Sequence, residues 1–271
     1  MQKEELVSQI RKKRSFLCVG LDTDPDKIPA PFSRLPDPVF EFNREIINAT
    51  RDFAVAYKIN TAFYEAQGMK GWRSLERTLQ ELPADTFKIA DAKRGDIANT
   101  GRQYARAFFE TFPFDAITVS PYMGEDSVTP FMEFSGKWAI LLLLTSNKGA
   151  TDFQQQKVGN ERLFELILKR SQQWDGHQRL MYVMGATHPS ELATIRKLAP
   201  DAFFLIPGVG AQGGSLSAVA EAALTSECGL LVNASRAILY AGTGEDFAAK
   251  AQDKAREYQQ EMESLLQKYR V

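Results

Sequence analysis

The chain is expected to fold as one (β/α)8 TIM-barrel domain spanning residues 1–271. Three observations predict it. Eight short apolar runs alternate with segments whose apolar residues recur at helical spacing. The runs are nearly continuous in apolar residues, as in parallel strands buried on both faces, and most end in a polar or turn-forming residue. The length, 271 residues, suits a barrel of roughly 250. An open doubly wound sheet is the alternative, but it would leave two edge strands that a closed barrel abolishes. No linker divides the chain.

A charged amphipathic segment, 2–13, precedes the first run, Phe16-Leu17-Cys18-Val19-Gly20-Leu21, which ends at Asp22. The proline-rich stretch 25–38 predicts a loop, and Phe40, Ile46 and Ile47 set a helix over 39–52. The second strand, 53–60, ends at Lys58 and Asn60, with a helix expected over 62–82. The third, 86–90, runs into a charged motif and then a helical segment, 97–112. The fourth strand spans 115–120 and the fifth 138–145. A polar stretch, 148–157, looks mobile and leads to a helix ending near Trp174. Strands at 180–185, 202–206 and 229–232 follow, with helices near 190–198, 215–225 and 245–269.

Composition removes several function classes. A net charge of -1 and a pI near 6.2 give no basic excess, so no nucleic-acid partner is expected. The longest apolar run, 138–144, falls far short of the roughly 20 residues of a membrane helix. The first residues carry no apolar export segment, so a cytoplasmic protein is expected. Cys18 and Cys228 each sit in apolar runs and suggest buried thiols in a reducing compartment, with a bridge between them as the lesser alternative. His177 and His188 have no partners at metal-ligand spacing, so no metal is expected.

The chemistry concentrates in Asp91-Ala92-Lys93-Arg94-Gly95-Asp96-Ile97-Ala98-Asn99-Thr100. Asp91 and Lys93 lie two apart on a strand end and should project to one side, with Gly95 allowing the chain to turn. A surface turn of mutually neutralising charges is the plain alternative. Against it, these charges follow an apolar strand with no polar spacer, and partial burial is costly unless the charges are paired or used. In a barrel, Asp22, Lys58, Asp91, Lys93, Ser146, Pro207 and Arg236 would surround one mouth. The glycine-rich loop 207–214 and Arg236, on the seventh and eighth tips, are a candidate phosphate grip through backbone N–H groups and a guanidinium.

Together these motifs resemble the orotidine 5′-monophosphate decarboxylase family, in the subgroup whose active-site run reads Asp-Ala-Lys-Arg-Gly-Asp-Ile. The resemblance covers nearly the whole chain. It includes Cys18-Val19-Gly20-Leu21-Asp22, Lys58-Ile59-Asn60, the 91–100 run, Pro121-Tyr122-Met123-Gly124, Thr145-Ser146-Asn147, the 207–214 loop and Ser235-Arg236. It implies cofactor-independent loss of CO₂ from orotidine 5′-monophosphate to give UMP, the last step of de novo pyrimidine nucleotide synthesis, in a homodimer with shared sites. It also implies that Lys58, Asp91, Lys93 and the partner subunit's Asp96 alternate in charge, with Lys93 as proton donor. Asp22 would hold ribose hydroxyls and Ser146 the pyrimidine, while Gln212 and Arg236 would hold the phosphate. Ile97 would line the base pocket of the partner and Thr100 would lie near the ribose, with Asn60, Pro207 and Ser235 completing the substrate contacts. Two positions depart from the family pattern: Lys148 replaces a proline and Leu144 an arginine.

Two other classes fit parts of the pattern. One is a Mg²⁺-dependent sugar-phosphate decarboxylase or aldolase on a related barrel, whose Asp-x-Lys-x-x-Asp run would serve a cation. The other is a non-catalytic nucleotide-binding barrel, which would need no Lys93 between two acids.

Overall fold

The structure is a computed structural model and describes residues 1–210 and 213–271. Eight parallel strands close on themselves: β1 (Leu17–Gly20), β2 (Ala54–Asn60), β3 (Phe87–Arg94), β4 (Ala116–Val119), β5 (Trp138–Leu144), β6 (Leu180–Met184), β7 (Phe204–Pro207) and β8 (Leu230–Ala234). Each pairs with its neighbours in sequence, and β8 returns to β1 with Val232 opposite Leu17 and Ala234 opposite Val19. The expected TIM barrel is therefore the fold. Its strands are buried almost throughout, which is why their sequences lack the alternation of half-exposed sheets.

Local chemistry explains the helix boundaries. Asp37 caps the helix Pro38–Thr50 by accepting from the Phe40 amide at 3.2 Å, with Pro38 at the first position. The single helix expected over 62–82 is divided into Ala62–Glu65 and Gly68–Glu81, because Gly68 takes φ +59° and redirects the chain. The C-terminal helix Phe247–Tyr269 packs on Pro38–Thr50 through Phe42 and Phe247, whose rings stack 5.2 Å apart. Between β4 and β5 there is only one α-helical turn, Thr129–Met132.

The polar stretch 148–157 is structured. The Gln154 side chain accepts from the Thr145 amide at 2.8 Å, and a small antiparallel pair, Lys157–Val158 with Glu161–Arg162, follows. Cys18 and Cys228 are both buried free thiols, and burial pushes each thiol up to about 12. Among the described residues, no helix is long and apolar enough to cross a membrane.

Candidate active site

The C-terminal ends of the strands open into a cavity of about 600 Å³. Asp22, Lys58, Asp91, Lys93, Ser146, Pro207, Ser235 and Arg236 all line it. One mouth therefore collects residues as far apart in the chain as Asp22 and Arg236, as the barrel topology requires.

Lys58 is the centre of the charge row. It is 4% exposed, and its ammonium donates to Asp22 Oδ1 at 3.1 Å and Asp91 Oδ2 at 3.0 Å. Burial alone would push this ammonium down, but the two carboxylates outweigh it and hold Lys58 above its ordinary value. Asp91 is balanced the same way: burial opposes its ionisation, yet Lys58 and Lys93 together hold it well below the usual carboxylate range. Its Oδ1 accepts from the Lys93 ammonium at 2.6 Å. The order Asp22, Lys58, Asp91, Lys93 alternates in sign, so every buried charge has a partner.

Asp91 and Lys93 meet, but not through an extended strand end. Lys93 has φ +47°, and the pairing of β3 with β4 slips between Ala90 and Arg94. A side chain in the left-handed region is held there only when its surroundings over-determine it, at a cost of about 1–3 kcal/mol. The Thr118 hydroxyl does this by accepting the Lys93 amide at 2.9 Å while donating to Asp91 at 3.1 Å. Outside the barrel, Arg94 pairs with Glu65 and donates to the Ala92 carbonyl at 2.8 Å. The turn expected at Gly95 is made instead by Lys93 and by Ala98 at φ +48°. Gly95 itself fits a close approach, since a Cβ there would lie 3.1 Å from the Ser120 carbonyl oxygen, a tight contact.

The remaining candidates fall into two groups. Asp96, Ile97 and Thr100 lie outside the cavity lining; Asp96 accepts from the Ile97 amide at 2.8 Å, and Ile97 is 51% exposed. Asn60 also lies outside it and accepts from the Ala62 amide at 3.1 Å, a local loop bond. Gln212 lies outside the described residues.

In the glycine-rich loop, Gly208, Gly210 and Gly213 all take positive φ. Gly210 has a second constraint, because a Cβ there would come within 2.7 Å of the Tyr258 hydroxyl. Gly20 serves the adjoining loop: its Cβ would fall 1.9 Å from Ser235 Oγ, so only glycine lets β1 pass Ser235.

Thr118, Lys27, Asn233 and Tyr240 also line the cavity and went unnoticed in the sequence. Thr118 and Asn233 had a readable signal, as polar residues inside apolar strands. Lys27 and Tyr240 had none, because they are brought together only by the fold: the Tyr240 hydroxyl accepts the Asp24 amide at 2.9 Å and the Lys27 ammonium lies 5.8 Å from the Tyr240 ring.

Fold and cavity define the class: a (β/α)8 barrel with an alternating acid–lysine row at its C-terminal mouth. The orotidine 5′-phosphate decarboxylase / HUMPS family model matches residues 15–251, and the chain belongs to this family. It is 53% identical over 270 residues to an orotidine 5′-phosphate decarboxylase of Bacteroides fragilis, covering 98% of each chain. It is 54% identical over 271 residues to one of Christiangramia forsetii, covering 99% of this chain and 100% of that one. Among solved structures, the Leishmania donovani OMP decarboxylase superposes with a TM-score of 0.82 at 36% identity, covering 97% of this chain and 99% of that chain. The Leishmania donovani UMP synthase gives 0.85 at 39% identity over 96% of this chain, which spans 55% of that longer protein.

Proposed function

We propose that this chain decarboxylates orotidine 5′-monophosphate to UMP and CO₂, the last step of de novo pyrimidine nucleotide synthesis. It works in the cytoplasm, without a cofactor, as one barrel domain within a homodimer. The observation that carries this reading is the Asp22–Lys58–Asp91–Lys93 row inside one cavity, in a chain whose relatives carry that activity in their names.

Breaking the bond from C6 to the carboxylate leaves an electron pair on a ring carbon with no conventional sink. A fixed cation and a ready proton are what such a carbon needs. Lys93 supplies both: its ammonium stabilises the developing charge and gives C6 its proton. Asp91, held ionised by Lys58 and Lys93, accepts from the Lys93 ammonium and fixes its place in the cavity. A substrate carboxylate beside Asp91 is repelled until CO₂ leaves. Arg236 and the 207–214 loop take the phosphate, whose binding energy orients the distant C6.

The dimer reading is supported by Asp96, Ile97 and Thr100, which follow the end of β3 but do not line their own chain's cavity. Ile97, Tyr122 and Met123, which follow the ends of β3 and β4, are all exposed large apolar side chains, suited to burial against a second copy. A two-fold partner would bring its own Asp96 and Ile97 to this cavity.

A Mg²⁺-dependent reaction is disfavoured because the Lys58 ammonium occupies the space between Asp22 and Asp91 where a cation would bind. Following ultraviolet absorbance after adding orotidine 5′-monophosphate tests the proposal directly. Turnover is expected, unchanged by EDTA. Binding without turnover, or turnover lost to EDTA and restored by Mg²⁺, would reject it.

A further inference from the structure

A fully buried polar network lies behind the first strand tip. The Thr23 hydroxyl donates to Asn43 Oδ1 at 2.6 Å. Asn43 Nδ2 donates to the Tyr64 hydroxyl at 2.8 Å and to Thr78 Oγ1 at 3.1 Å. The Tyr64 hydroxyl in turn donates to the Leu21 carbonyl at 3.1 Å. Thr23, Asn43, Tyr64 and Thr78 are all inaccessible to solvent.

The network closes on the two residues that flank Asp22. β1 ends at Gly20, so Asp22 stands beyond its own strand. Buried apolar side chains would pack here without the cost of desolvating four polar groups. A satisfied polar network instead specifies one arrangement of the groups it touches. We propose that Thr23, Asn43 and Tyr64 are positioning residues that clamp the chain on both sides of Asp22, so that its carboxylate stays on Lys58. The clamp reaches the site from helices Pro38–Thr50, Ala62–Glu65 and Gly68–Glu81, none of which supplies a charge to the row. It acts on the reaction only through Asp22.

This inference rests on the proposed decarboxylation, and its test separates the two. Thr23→Val keeps the side-chain shape but removes the donor, and Tyr64→Phe removes the bond to Leu21. Each is expected to lower kcat/KM for orotidine 5′-monophosphate roughly three- to tenfold, through one buried hydrogen bond lost in Thr23→Val and two in Tyr64→Phe, whose hydroxyl also accepts from Asn43; Thr23→Ser keeps wild-type kcat/KM. In an Asp22→Asn background the same substitutions should add nothing, whereas a merely structural role would persist there. The 13Cγ resonance of Asp22, read without substrate, should shift in both variants and return with Thr23→Ser. Folded variants with wild-type kcat/KM, or equal losses with and without Asp22, overturn the clamp. Absence of turnover in the wild type rejects the function instead, and the Asp22 resonance alone then decides the clamp: an unmoved signal overturns it.

Discussion

The backbone amide of Lys93 is held by the hydroxyl of Thr118, 2.9 Å away on the neighbouring strand. The same hydroxyl donates to Asp91 at 3.1 Å, so one side chain fixes both the strained backbone and the carboxylate that faces the Lys93 ammonium. Thr118→Val preserves the shape and removes both bonds. It is expected to lower kcat about tenfold or more, as for a buried donor left unpaired, with a smaller change in KM. Thr118→Ser should stay close to wild type in steady-state assays. A Thr118→Val enzyme with unaltered kcat would show that the left-handed turn at Lys93 holds without it.

Asp91 ties charge to stability with a definite sign. Its folded pKa is depressed, so the stability it contributes is present above its unfolded pKa of about 4 and is lost as pH falls toward the folded one. Lys58 has the opposite sense: its contribution is complete below about pH 10 and is lost only as pH rises through its raised value. Asp91→Asn should therefore cost about 3 kcal/mol by denaturant unfolding, because the buried Lys58 ammonium is left with Asp22 as its one carboxylate partner. The cost should be constant from about pH 5 to 9 and shrink below about pH 4. A difference that grows on acidification contradicts the assigned sign.

Arg236 is exposed at the cavity rim, where a guanidinium is free to meet a phosphate. Arg236→Ala should reduce kcat/KM for orotidine 5′-monophosphate roughly ten- to a hundredfold, the value of a charge-assisted contact. Turnover of the phosphate-free nucleoside should hardly change. Equal losses on the two substrates would assign Arg236 a structural role.

Shared sites predict complementation. Lys93→Ala and Asp96→Ala chains should each be inactive alone. In a hybrid dimer, one site collects both lesions while the other keeps an intact Lys93 and an intact Asp96. Random mixing makes about half the dimers hybrid with half their sites whole, so activity should recover to about a quarter of wild type. A mixture that stays inactive despite proven subunit exchange places Asp96 in its own chain's site.

The barrel was legible in the sequence because burial on both faces leaves an unbroken apolar run, and eight such runs with polar tips admit few other closures. The charge row was legible for a related reason: Asp22, Lys58, Asp91 and Lys93 each stand near or just past the end of an apolar strand, where charge needs a use or a partner. Helix lengths were harder to read, since the break at Gly68 and the short turn Thr129–Met132 answer to packing rather than spacing.

What only the tertiary structure decided is how those charges are held. Thr118 is 25 residues from Lys93 in sequence, and Asn43 lies 20 residues from Thr23. A hydroxyl or amide in a buried segment reads the same whether it satisfies itself locally or reaches across the barrel. Its partner is chosen by strand register and helix packing. Local sequence determined that Asp22, Lys58, Asp91 and Lys93 stand at the mouth; the closed sheet decided that Lys93 turns left-handed, that Lys58 lies between two acids, and that Ser235 can pass only a glycine.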